Sequence, residues 1–153
     1  MTTSMHAERT VVTFRNASFN AKEPREAFIN PQNFGDDLAQ WLAEGMEKKS
    51  IVVERTGEFP GQEDFGWFFN CRVDGDEYCI VVGHHFDAQE FEWVVWTERR
   101  CGFLKSMLGG RKKDIDRRIP AVIHDVLSSS STTTHIRWHK RAEFDRGEFG
   151  GAT

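Results

Sequence analysis

EDFGWFFNCRVDGDEYCIVVGHHF, residues 63–86, holds two aromatic and β-branched runs on either side of Asp74-Gly75. Asp-Gly between such runs signals a two-residue type I′ hairpin, because both central positions need positive φ and these residues tolerate it. That turn sets Trp67 opposite Val82, Phe69 opposite Ile80 and Cys71 opposite Tyr78, all on one face. A slip of one residue would bring Trp67 against Gly83 and mix apolar with polar positions, so the register is well specified. The next hairpin follows if four residues, Asp87 to Glu90, join Phe86 to Phe91. Its rows then continue the same face as Phe65–His84–Trp93, Trp67–Val82–Val95 and Phe69–Ile80–Thr97. The other face reads Asp64–His85–Glu92, Gly66–Gly83–Val94, Phe68–Val81–Trp96 and Asn70–Cys79–Glu98.

Outward from these hairpins, β-branched and aromatic enrichment predicts strands over Thr10–Arg15, Ser50–Arg55, Phe65–Val73, Glu77–Phe86, Phe91–Arg99 and Thr134–His139. One helix is marked by Asn33 as N-cap, Asp36 and Asp37 in its first turn, Lys48 and Lys49 at its end, and Leu38, Trp41, Leu42 and Met46 at helical spacing. A second runs through Ile115, Ile119, Val122, Ile123, Val126 and Leu127. It either kinks at Pro120 or begins near Ile119, because an interior proline removes a hydrogen bond. The short links between the four middle strands exclude parallel crossovers. The expectation is an α+β, two-layer sandwich in the order β-α-β-β-β-β-α-β, with an antiparallel sheet of five to six strands and two helices on one face. The places of the first and last strands in that sheet stay open.

The 153 residues fit one domain, expected over 9–141, with residues 1–8 disordered and the glycine-rich 142–153 a flexible C-terminal tail. The serine and threonine run SSSSTTT, 128–134, reads as a loop. No apolar run is long enough to span a membrane, and the first residues lack signal-peptide order, so a cytoplasmic protein is expected. Three cysteines, Cys71, Cys79 and Cys101, without CxxC spacing, fit a reducing compartment rather than a disulfide framework. Net charge is −4, which speaks against a general nucleic-acid footprint. Charge is nonetheless uneven. From 54 to 98 eleven acids face Arg55 and Arg72, whereas from 99 to 118 eight basic residues face Asp114 and Asp116. A basic connector beside an acidic sheet reads first as a solvated surface pairing with its neighbour.

The candidate chemistry is sparse. Zinc is rejected by geometry: Cys71 and His84 point to one face, Cys79 and His85 to the other, and six residues of strand separate the latter two by roughly 20 Å. No metal is therefore expected. No cofactor is either, since GGRKK at 109–113 has neither GxxxxGK[ST] nor GxGxxG form. No GxSxG elbow supports a nucleophilic serine. Asp64, His85 and Glu92 are the one gathering of ionisable groups, and two carboxylates beside a histidine could serve acid/base chemistry, although such cross-strand pairs are ordinary sheet surface. His84, between Phe65 and Trp93, reads as a core histidine. His135 and His139 alternate outward on the last strand and carry no assigned role.

The strings EDFGW (63–67), FLKSMLGGRKKD (103–114) and HIRW (135–138) resemble a family of short, uncharacterised bacterial α/β proteins over roughly residues 20–138. That resemblance implies a compact α/β domain and no activity. From the residues, the leading expectation is a non-catalytic binding or protein-interaction domain. It would use the outer sheet face, Asp64, Gly66, Phe68, Val81, Gly83, His85, Glu92, Val94 and Trp96, as a homodimer or against another protein. Lining up Phe68, Val81, Val94 and Trp96 is not what a fully solvated face does. The alternative is a small enzyme or small-molecule-binding protein with its site around Asp64, His85 and Glu92, over the shallow trough that Gly66 and Gly83 would leave.

Overall fold

The computed structural model describes residues 7–26, 28–55, 57–63, 66–85, 91–99 and 114–153. Its elements in chain order are β1 (Val11–Arg15), α1 (Asp36–Lys48), β2 (Val52–Glu54), β3 (Gly61–Glu63), β4 (Gly66–Val73), β5 (Asp76–His84), β6 (Trp93–Arg99), α2 (Arg118–Ser128), β7 (Thr134–His139) and α3 (Arg141–Asp145). The fold is α+β. Among the described residues its antiparallel sheet has seven strands rather than five or six, and three helices accompany it rather than two.

Asp74 (φ 50°) and Gly75 (φ 81°) make the expected turn. Trp67 pairs with Val82, Phe69 with Ile80 and Cys71 with Tyr78, and on the next ladder Val82 pairs with Val95 and Val81 with Trp96. Both hairpin registers are therefore those read from the sequence. The strand order is β2-β4-β5-β6-β1-β7, with β3 on the same side of β4 as β2. β1 lies antiparallel between β6 and β7, which settles where the first and last strands go.

α1 and α2 bury Leu38, Leu42, Met46, Ile119, Ile123 and Leu127 against Val12, Phe14, Phe69, Ile80, Val82, Trp93 and Val95, the inner face. Pro120 sits in the first turn of α2, where its missing N–H has no intrahelical partner to lose, so the helix begins at Arg118, two residues before the proline, and holds it without an interior break. Asn33 is not the N-cap of α1. Gly35 holds that place, and Asn33 instead accepts the Trp67 indole N–H on its carbonyl at 2.6 Å and donates from Nδ2 to the Glu63 carbonyl at 2.6 Å. Asp36 and Asp37 serve the N-terminal strap, Asp36 pairing with Arg25 at 2.9 Å and Asp37 accepting the Asn20 N–H at 2.8 Å.

The segment 142–153, expected to be a flexible tail, is packed. Phe144 of α3 and Phe149 lie against Val11, Phe91 and Val94 on the outer face, and Trp138 and Ala152 exchange backbone hydrogen bonds at the β7 edge. Two phenylalanines supply apolar area that the glycines around them lack, and that burial anchors the chain. No helix is long and apolar enough to cross a membrane among the described residues.

Candidate functional site: a cleft on the outer sheet face

The outer rows continue across β1 and β7. Phe68, Val81 and Trp96 lead on to Val11 and His139, and Gly83 and Val94 lead on to Thr13 and Arg137. The face predicted as a binding surface therefore extends two strands further than the sequence could show.

The expected site residues are distributed along it. Asp64 lies outside the described residues, so its row is seen only at His85 and Glu92. The backbones of these two are joined, the His85 N–H donating to the Glu92 carbonyl at 2.9 Å. Their side chains have separate work. The His85 ring stacks on Phe91 at 4.3 Å and meets Phe149 edge-on at 6.4 Å, while Glu92 Oε1 accepts the Asn16 backbone N–H at 2.8 Å. Gly66 does not open a trough. Its φ is 148° and a Cβ there would stand 2.1 Å from the Val82 carbonyl oxygen, so glycine is required by the close approach of two strands. Gly83 and Val81 are buried, and the Phe68 ring lies so close over Gly61 that a Cβ there would meet it at 2.4 Å. Val94 is covered by the cluster that Phe144 and Phe149 close. Half-exposed Trp96 donates its indole N–H to Glu98 at 3.2 Å and carries the Arg141 guanidinium 5.5 Å above its ring. Among the described residues no group of three or more His, Cys, Asp or Glu side chains is placed to hold a metal ion.

The concavity on this face lies beside those residues. A cleft of about 420 Å³ is lined by Thr13 and Arg15 of β1, His135 and Arg137 of β7, and Gly147, Phe149 and Gly150 of the C-terminal segment. Thr13, Arg15, His135 and Arg137 reach one side for two reasons. Thr13 and Arg137 are direct partners in the ladder, and between Thr13 and Arg15 the register shifts, because His135 and Ile136 of β7 stand opposite the single residue Phe14. This is a β-bulge, a device that redirects side chains near the end of a ladder. His135 occupies it at φ 58°, a left-handed conformation that glycine or asparagine adopts readily and that stores about 1 kcal/mol or more in other residues. Phe149 joins this wall to the predicted site through its contacts with His85 and Phe91.

Beside the cleft, on the same face, lies His139, completely buried and 2.7 Å by Nε2 from the Thr13 hydroxyl. Its other nitrogen, Nδ1, is buried without a hydrogen-bond partner, and a Cβ on Gly151 would stand 2.8 Å from the ring. Burial first, then Arg9 and Arg137, push its pKa below the ordinary histidine range, against a weaker opposite pull from Glu143. His139 is thus neutral at pH 7. His84 is lowered as well, by burial first, with Glu92 opposing and His85 assisting. Its ring lies 4.8 Å from Trp93 and 5.8 Å from Phe34, half-buried at the edge of the core, while Phe65, its other expected neighbour, lies outside the described residues.

The basic connector is described only at its ends, 100–113 and with them GGRKK lying outside the described residues. Arg99 pairs with Asp76, and Arg118 pairs with Asp74 and Asp116. At both ends basic groups meet the acids flanking the β4–β5 turn. Cys71 and Cys79 lie on opposite faces, and burial pushes the Cys71 thiol up to about 12.

No protein family matches the chain, and neither curated proteins nor solved structures give a significant match. The function is therefore argued from the geometry of this cleft.

Thr13, Arg137 and His139 carried signals that were readable but ambiguous. Each sits at an outward position of its strand, yet nothing in the sequence brings β1 beside β7. The bulge at His135 has no glycine to announce it.

Proposed function

We propose that the protein is a non-catalytic binding domain whose outer sheet face takes a small ligand in the cleft between β1, β7 and the C-terminal segment. The observation that carries this reading is the cleft itself: about 420 Å³, within the range of small-molecule sites, walled by two strands and one aromatic side chain. It is supported further by the bulge that brings His135 to the rim at the expense of backbone strain. Association through Phe68, Val81 and Trp96 is less favoured, because the C-terminal segment already covers the neighbouring Val11 and Val94. The enzyme reading around Asp64, His85 and Glu92 draws no support from His85 stacked on Phe91 or from Glu92 bound to the Asn16 amide.

The test is amide chemical-shift mapping of the full chain with a mixed set of small neutral, cationic and anionic aromatic molecules. Perturbations gathered on Thr13, His135, Arg137, Gly147 and Gly150 are expected. Perturbations gathered on another face, or none with any compound, would contradict the reading.

A further inference from the structure

Every polar side chain that lines the cleft can donate a hydrogen bond. Arg15, Arg137, His135 and the Thr13 hydroxyl are its polar side chains, and no carboxylate is among them. Arg137 gives one N–H to the Gly150 carbonyl at 3.0 Å and forms no ion pair among the described residues. Arg15 has a further interaction of its own, so Arg137 is the cation whose charge the cleft offers.

Thr13 acts as a donor because of what lies beside it. Burying an orphaned N–H is rarer and costlier than burying an unused lone pair, so the partnerless Nδ1 of His139 is the unprotonated nitrogen. Nε2 then carries the proton and donates it to Thr13 Oγ1. Thr13, only 2% exposed, lines the cleft, and its hydroxyl, with no second partner among the described residues, keeps its own proton to donate. Directly opposed residues of an antiparallel pair stand about 5 Å apart at Cβ, so Thr13 and Arg137 converge on one acceptor.

Resting on the ligand-binding reading above, we propose that the cleft recognises an organic oxyanion, a carboxylate or a phosphate ester, whose charged head sits between Arg137 and Thr13 and whose apolar body lies on Phe149. The planar guanidinium of arginine binds carboxylates and phosphates through paired N–H groups, which a cleft lined by no carboxylate leaves uncontested. Phe149 is the apolar side chain of the lining and sets the preference for an attached hydrocarbon or ring over the bare ion.

The experiment is a set of NMR titrations of the full chain with benzoate, phenyl phosphate, inorganic phosphate, benzyl alcohol and benzylamine. Both aromatic anions are expected to shift the Thr13, Arg137 and Phe149 amides, to bind more tightly than inorganic phosphate, and to weaken as salt rises. The tighter of benzoate and phenyl phosphate identifies the head group. Arg137→Gln should weaken the anions about tenfold and Arg137→Lys less, since lysine keeps the charge without the paired donors. Thr13→Val should weaken them several-fold, with Thr13→Ser, which keeps the hydroxyl, as the control for folding. Benzyl alcohol or benzylamine binding in the cleft as well as benzoate would overturn the anion assignment and leave the binding reading standing. An unchanged anion affinity in Arg137→Gln would overturn it equally. If no probe shifts the cleft amides, the binding reading itself fails.

Discussion

On the inner face of the sheet, Val12, Phe69, Ile80, Val82 and Val95 lie under two helices of 13 and 11 residues. On the outer face, Val11, Phe91 and Val94 lie under a five-residue helix and a glycine-rich segment that contribute chiefly Phe144 and Phe149. A helix presents an apolar stripe continuous enough to exclude water along its whole length. Two aromatic side chains five residues apart cover a patch and leave a gap between the segment and the sheet. The cleft lined by Thr13, Arg15, His135 and Arg137 is that gap. One face thus supplies stability, while the other, less completely covered, has room for a ligand.

The contrast is broken most severely from the inside. Trp93 is fully buried beneath the helices and bonds the Asn16 carbonyl through its indole N–H at 3.0 Å, so Trp93→Ala should cost about 4 kcal/mol in urea unfolding. Gly66→Ala comes next, at about 3 kcal/mol, since a Cβ cannot fit against the Val82 carbonyl without parting β4 from β5. On the outer face Phe144 is only half-buried, and Phe144→Ala should cost about 1–2 kcal/mol while raising hydrogen exchange in 141–153 and leaving the β4–β5 amides protected. An equal loss from Trp93→Ala and Phe144→Ala would show that the two faces do not differ as described.

A smaller effect sharpens the comparison through pH. His139 on the outer side and His84 on the inner side both have folded-state pKa values lowered by burial. The unfolded chain therefore takes up protons that the folded chain refuses. Their contribution to stability is complete above the unfolded value of about 6.5 and is lost as pH falls through that value toward the folded ones. Thermal unfolding followed from pH 7.5 to 5 should show the midpoint falling, and His139→Gln should reduce that slope without abolishing it. The smallest effect is chemical: buried Cys71 should resist iodoacetamide in the folded chain while half-exposed Cys79 reacts, and equal labelling would contradict the facing assigned to them.

The central hairpins were legible because local chemistry determines them. Asp74-Gly75 admits one turn, and alternation from Trp67 to Val82 admits one register. β3 escaped notice because Gly61-Gln62-Glu63 has no β-branched or aromatic residue and is a strand only through its pairing with β4. Asn33 looked like a cap, but its amide and carbonyl are engaged by Glu63 and Trp67, and Gly35 enters the helix instead. The site was half legible. Gly83 and Val94 were placed on the outer face, yet their row is completed by Thr13 and Arg137 from the two ends of the chain, and pairing over more than 120 residues leaves no local trace. Phe144 and Phe149 read as a tail because their spacing matches neither helix nor strand, and the surface they cover is non-local too.

The direct measurement of this account is the position of Phe149, the residue that closes the outer face and walls the cleft. In the full chain, nuclear Overhauser spectra should show cross-peaks from the Phe149 ring to the rings of His85, Phe91 and Phe144, whose centroids lie 6.4, 5.3 and 5.1 Å away. A Phe149 ring with random-coil shifts and no cross-peak to Phe91 or His85 would contradict the closure of that face, and with it the cleft.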